Sequence, residues 1–229
     1  GATLDDRSIS RYTDVSITSF YGSHIINCAG NGGIVCFNDK KAFNKAKLLR
    51  SWGRSSSLFD DKSEKIENRF NIKVDGIPYD KKFVFELPGH NLEPSELGAA
   101  FGLVQLKKLS KNLKKRELNF NKHTKFFKRY EKFFNLPEQL KNSRTGWLAY
   151  PLTIKNDAPF SRTDIQIYLE KKNIQTRVVF TGNIMRQPGF KNLKYKKFQK
   201  KYPIADDVMK NGFLIACHQG VSNKMMSHL

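Results

Sequence analysis

The sequence predicts an α/β protein: part of an α/β sheet in residues 1–135, then a small α+β domain in residues 136–229. Three observations predict it. β-rich runs alternate with helical runs through the first part, the texture changes after Pro137, and short β-branched strands and short helices follow. With 39% hydrophobic and 27% charged residues in 229, the chain has the apolar content for one sizeable core or two modest ones.

In chain order, "TDVSITSFY" (13–21) predicts a strand that runs into the polar, glycine-closed loop "SFYGSHIINCAGNGG" (19–33). "GGIVCFND" (32–39) predicts a second strand, with Asp39 capping a helix over 40–52 that Gly53 ends. Residues 54–80 are polar and serine-rich at their start, and predict a long loop. "FVFELPGHNLEP" (83–94) predicts an extended piece broken by Pro88-Gly89. Ser95 opens the helix "SELGAAFGLVQLKKL", whose Gly98, Ala99, Ala100 and Gly102 let another element pack closely. A long basic helix succeeds it over 110–134. Beyond Pro137 come a strand in 146–155, a helix from Ser161 to Lys172 and a strand in 174–180. A helix near 203–211 and a strand in 212–217 complete the small domain.

The formal charge of +20, from 41 Lys+Arg against 21 Asp+Glu, invites a nucleic-acid reading. Basic clusters lie in 107–134 and 191–202. In the first, however, Leu106, Leu109, Leu113, Phe120, Phe127 and Phe134 recur at three, four or seven residues, so lysine fills the solvated face of an amphipathic helix. No RNP motif, zinc finger or helix-turn-helix turn supports nucleic-acid binding. Three cysteines without CxxC spacing point to reduced thiols in a cytoplasmic compartment, not to disulfides or a metal site. No apolar run approaches the roughly 18 residues that span a bilayer.

The loop at 19–33 carries the chemistry. Ser19 can donate to a phosphoryl oxygen, as can backbone N–H groups around the glycines. His24 has the one side-chain type whose ordinary pKa lies near 6.5, which suits proton transfer at neutral pH. A satisfied surface histidine on a β-turn is the alternative reading of the same residues.

"SFYGSHIINCAGNGGIVCFND" resembles the lysine-bearing segment of the DegT/DnrJ/EryC1/StrS sugar-nucleotide aminotransferase family, which shows Ser-Phe-x-x-x-Lys before Gly-(Asp/Glu)-Gly-Gly. The resemblance continues through "RSWGR" (50–54), "YDKKFVFELPGHNLEPSELGAAFGLVQLKKL" (79–109), "GWLAYPLTIK" and "TRVVFTGNIMRQP" (176–188). The last three are most similar to the branch of NDP-4-keto-6-deoxyhexose 3-dehydrases of deoxysugar and lipopolysaccharide O-antigen synthesis. The resemblance implies the C-terminal part of fold type I of the pyridoxal-phosphate enzymes, a partial large α/β domain with a small α+β domain.

His24 occupies the position of the family's Schiff-base lysine, and the first lysine of the chain is Lys40. Histidine forms no imine, so the resemblance implies a cofactor of the pyridoxamine 5′-phosphate / pyridoxal 5′-phosphate pair that stays as diffusible pyridoxamine 5′-phosphate. The histidine would remove a proton from its C4′ as the sugar 3-hydroxyl leaves. Ser19 matches the family's phosphate-binding serine, and Tyr21 a residue beside the cofactor. Asn91 matches an asparagine reaching the phosphate from the neighbouring subunit, which implies a homodimer with shared active sites. Arg177, Asn183 and Arg186 lie in the branch motif, where Arg suits the nucleotide diphosphate.

The chain also departs from the pattern. Ser55-Ser56-Ser57 stands where iron–sulfur dehydrases carry cysteines, so no [2Fe–2S] cluster is expected. Asn31 replaces the acidic residue of the glycine turn, and His90 and Gly98 stand where the family commonly has tyrosine and glutamine. The family residues that precede "GATLDD" include the aspartate that pairs with the pyridine nitrogen, so the resemblance implies a C-terminal fragment, inactive alone. A sugar aminotransferase and an inactive remnant acting as a binding module are the competing readings.

Overall fold

The structure, a computed structural model, describes residues 1–194, 196 and 201–229. Strands β1 (Thr3–Leu4), β2 (Arg7–Ser8), β3 (Val15–Ser19) and β4 (Gly33–Phe37) lead to helix α1 (Lys40–Arg50). Helix α2 (Ile66–Phe70) and strands β5 (Ile72–Val74) and β6 (Ile77–Tyr79) precede α3 (Glu96–Phe127). Then come β7 (Phe134–Asn135), β8 (Ser143–Arg144), β9 (Ala149–Ile154) and α4 (Arg162–Lys171). Strand β10 (Thr176–Val178), α5 (Pro203–Asn211), β11 (Gly212–Ala216) and α6 (Asn223–His228) finish the chain. Two compact units result, one of Gly1–Ser8 with Lys108–Leu229 and one of Ile9–Lys107.

In the first unit an antiparallel sheet runs in the order β10-β11-β9-β7, with Phe213 opposite Leu152 and Ile215 opposite Tyr150. The alternation of β9 sends Tyr150, Leu152 and Ile154 into the core, where each is at most 2% exposed. Phe120 and Phe127 of α3 join that core, with Phe120 stacked on Trp147 at 3.8 Å. The same helix stripe carries three buried polar side chains. Arg116 donates to the carbonyls of Trp147 and Leu148 and to Gln219. Asn119 donates to His218 O at 2.8 Å, and His123 Nε2 to Ala216 O at 2.9 Å. These bonds satisfy carbonyls where the chain leaves the sheet ladder, the condition for burying backbone there. Burial pushes the Cys217 thiol up to about 12 and the His123 imidazole below its ordinary value.

The second unit has two hairpins and the first half of α3. β3 and β4 pair from Val15–Phe37 to Ser19–Gly33. Asp39 caps α1 as expected, accepting from Ala42 N at 2.6 Å. Where a structureless loop was expected over 54–80, α2 and the β5–β6 hairpin are found. The reason is the two-residue turn Asp75-Gly76, with both residues at positive φ (47° and 83°), the conformation glycine adopts without strain and Asp tolerates. The helices expected at 95 and 110 are one continuous helix of 32 residues, which stops at Phe127, short of the expected 134, because Phe134 pairs with Ile154 in the sheet. The basic stretch at 191–202 includes residues 195 and 197–200, which lie outside the described residues. Among the described residues no helix is long and apolar enough to cross a membrane.

Candidate functional site

The loop between β3 and β4 is closed from within. Phe20 N donates to Gly32 O (2.9 Å), Gly22 N to Gly30 O (3.1 Å) and Cys28 N to Phe20 O (3.1 Å). A tight turn is closed by His24 N, which donates to Tyr21 O at 2.9 Å. There His24 Nδ1 lies 3.3 Å from Ser19 O. A carbonyl accepts only, so Nδ1 is the donor in this contact, and in a neutral ring the lone pair would be on Nε2. Nε2 has no protein partner among the described residues. The Tyr21 ring meets the imidazole edge-on, with centroids 6.0 Å apart and planes at 81°. Ser19 Oγ accepts from Tyr21 N at 3.3 Å, which leaves its own proton to donate outward. Ser19, Tyr21 and His24 are thus brought together by one loop.

Asn91 is held elsewhere in the same unit. It forms a β-bridge with Ser51 at the C-terminal end of α1, while Trp52 N donates to His90 O at 2.8 Å. Ser51 Oγ and Arg50 both bond Glu93, which fastens this segment two residues beyond Asn91. Gly98 and Gly102, expected to offer a face to another element, are buried in their own unit with Cys28 against them.

Arg177, Asn183 and Arg186 belong to the other unit. Asn183 and Arg186 converge on Asp206 in the first turn of α5. Asn183 Nδ2 donates at 2.6 Å, and Arg186 grips both carboxylate oxygens through Nε and Nη2. Those hydrogen bonds, Arg186 first, hold the Asp206 carboxyl down at about 2. Asn183 Oδ1 accepts from Met185 N, so its amide is used at both ends. Arg177 lines a separate open groove of about 470 Å³ between α4 and β10, with Thr163, Gln166 and Glu170. Sequence reasoning missed Asp206, since an acidic residue in a first helical turn has an ordinary local role there. No group of three or more His, Cys, Asp or Glu able to hold a metal occurs among the described residues.

A family model described as the DegT/DnrJ/EryC1/StrS aminotransferase family matches residues 1–229. The chain is 27% identical over 231 residues to the lipopolysaccharide biosynthesis protein RfbH of Salmonella typhimurium, covering 100% of this chain and 52% of that protein. It is 29% identical to the dTDP-4-dehydro-2,6-dideoxy-D-glucose 3-dehydratase of Saccharopolyspora spinosa, covering 100% of this chain and 49% of that one. The chain therefore spans about half the length of the curated relatives it matches. A solved E. coli GDP-4-keto-6-deoxy-D-mannose-3-dehydratase with bound hydrated PLP superposes with a TM-score of 0.83 at 24% identity, covering 100% of this chain and 56% of that one. At that identity the likeness establishes the fold, that of the PLP-dependent aminotransferases.

Proposed function

The chain belongs to the DegT/DnrJ/EryC1/StrS aminotransferase family, and from that premise we propose that it serves an NDP-4-keto-6-deoxyhexose 3-dehydratase of deoxysugar and lipopolysaccharide synthesis. The observation that carries this reading is His24, which by the resemblance takes the family's lysine position and whose Nδ1 lies against Ser19 O, leaving Nε2 without a partner among the described residues. Such a residue moves a proton and attaches no cofactor. The first lysine, Lys40, heads α1 outside the loop, which argues against transamination by a neighbouring lysine.

The donor set fits pyridoxamine 5′-phosphate. Ser19 keeps a hydroxyl proton for a phosphate oxygen, and Asn91 supplies a second polar contact, from a neighbouring subunit in a homodimer. The bound cofactor supplies a conjugated ring that accepts the electron pair released when an adjacent C–H bond breaks. His24 Nε2 takes that proton at the cofactor C4′, and the Nδ1–H···O bond to Ser19 keeps the ring aligned and the tautomer fixed. Tyr21 packs its ring edge against the imidazole and limits its rotation. Of the three branch-motif residues, Arg186 is the one left to meet the nucleotide diphosphate, with Asp206 holding its fork by Nε and Nη2 and leaving Nη1 for the ligand, whereas Arg177 lines a separate groove and the Asn183 amide is used at both ends. The protein works in the cytoplasm, where nucleotide sugars are made.

The test uses the full-length protein with pyridoxamine 5′-phosphate and a reductant supplied, and follows 3-hydroxyl loss from an NDP-4-keto-6-deoxyhexose. His24→Asn keeps size and hydrogen bonding but removes the base, and dehydration falls by about 10²–10⁴-fold, roughly 3–5 kcal/mol of barrier. Borohydride leaves no cofactor on any lysine of the parent. A rate within about threefold of the parent for the Asn variant, well under that general-base loss, ends the reading.

A further inference from the structure

We propose that Gly98 and Gly102 of α3 form a seat for Cys28, and that this seat fixes the loop bearing His24, making the three of them positioning residues for that base. The role assigned to His24 rests on the function proposed above.

The first half of α3 is inside out. From Glu96 to Lys107 the buried residues are Gly98 and Gly102, while Leu97, Phe101, Leu103, Val104 and Leu106 are exposed. Burying two glycines one turn apart removes little apolar surface by itself. It does let a neighbour reach the helix backbone, and that neighbour is Cys28. A Cβ on residue 102 would stand 2.5 Å from Cys28 Sγ and 3.8 Å from Cys28 Cβ. A Cβ on residue 98 would stand 3.1 Å from the Cys28 carbonyl oxygen. Both faces of Cys28, thiol and carbonyl, are therefore fitted to positions without side chains.

From Cys28 the path to the imidazole is short. Cys28 N donates to Phe20 O at 3.1 Å. Phe20 is bonded to Ser19, whose carbonyl holds His24 Nδ1 at 3.3 Å. Moving Cys28 off the helix loosens that carbonyl, and the imidazole loses its bearing.

The two clashes differ in kind, which makes the proposal separable from a general packing effect. At 102 the obstacle is a removable sulfur, and at 98 it is backbone. In a Cys36→Ser background, Cys28 is the thiol open to Ellman's reagent, since Cys217 is fully buried with its thiol pushed up to about 12. Gly102→Ala should raise the Cys28 reaction rate about tenfold as local opening becomes more populated, and should shift the His24 ring resonances. Adding Cys28→Ala should return those resonances to their positions in the Cys28→Ala single variant. In that background Gly102→Ala should raise the Tm, the ordinary effect of alanine in a helix. Gly98→Ala should shift His24 with or without Cys28→Ala. If Gly102→Ala fails to fold, recovery of the fold in Cys28→Ala/Gly102→Ala supports the seat, and continued misfolding overturns it. Unchanged thiol rate and resonances in Gly102→Ala, or no restoration by Cys28→Ala, also overturn it. None of these readouts involves catalysis, so a parental dehydration rate in His24→Asn would end the base assignment and leave the seat standing.

Discussion

Strands β3 and β9 are built from similar residues and live in different surroundings. Tyr150, Leu152 and Ile154 of β9 are 0%, 1% and 2% exposed, whereas Val15 and Ile17 of β3 are 47% and 78% exposed. Across from β3, Ile34 and Val35 of β4 point to opposite faces and are each about half exposed. The difference teaches that β propensity and cross-strand pairing suffice to shape a hairpin, but stabilisation tracks the area removed from water. In the unit around β9 that area is large, and the buried polar row of α3 donates to main-chain carbonyls and to Gln219, while Asn119 Oδ1 and His123 Nδ1 have no partner among the described residues. In the unit around β3 the ordered features are held by hydrogen bonds within loops and by close backbone approaches such as the Cys28 seat.

The contrast breaks down first if the core around β9 tolerates a cavity. Phe213→Ala should cost this chain about 3–5 kcal/mol, measured by urea unfolding followed in the far-UV. A loss under about 1 kcal/mol would mean that unit is no better packed than the β3–β4 hairpin.

Next in size is Arg116→Met. It keeps most of the volume but strips donors from Trp147 O, Leu148 O and Gln219, and should cost about 2–3 kcal/mol. Loss of that order with an unchanged m-value would show that the polar row, and not only the apolar core, holds α3 to the sheet.

A smaller effect depends on pH. His123 is 3% exposed, its Nδ1 has no partner among the described residues, and burial lowers its pKa. The unfolded chain takes up a proton near the ordinary histidine value of about 6.5 while the folded chain does not. Stability is therefore full above that pH and falls as pH drops through it toward the lower folded value. His218 shifts the same way, through burial first and Arg116 second, and contributes in the same window. His123→Gln should flatten the pH dependence of the urea midpoint between pH 7 and 5, with His218 accounting for what remains. An equally steep profile would shift the cause away from His123.

The smallest expected change is Ile17→Ser, within about 0.5 kcal/mol of the parent because so little of the side chain is buried. A larger loss would show that the β3–β4 hairpin contributes packing that its exposure does not reveal.

Much of this architecture was legible because the determining interactions are local. Asp39 reaches Ala42 N, and Ser161 with Asp164 closes a capping box, all within three residues. Asp75-Gly76 is equally local, and reading 54–80 as a loop passed over a turn signal that the sequence does carry. Ser19, Tyr21 and His24 share one loop, so their grouping is a matter of chain connectivity once β3 and β4 pair.

The amino-acid sequence by itself determined the caps, the Asp75-Gly76 turn and the grouping of Ser19, Tyr21 and His24 on one loop, since each depends on neighbours a turn or a strand pair away. Tertiary structure alone decided that Arg186 and Asn183 share Asp206, 20 and 23 residues on. It also decided that Arg177 faces a separate groove and that Gly102 meets Cys28. Such pairings depend on which surfaces meet after loops close, and residues in these patterns satisfy their local rules equally well without them.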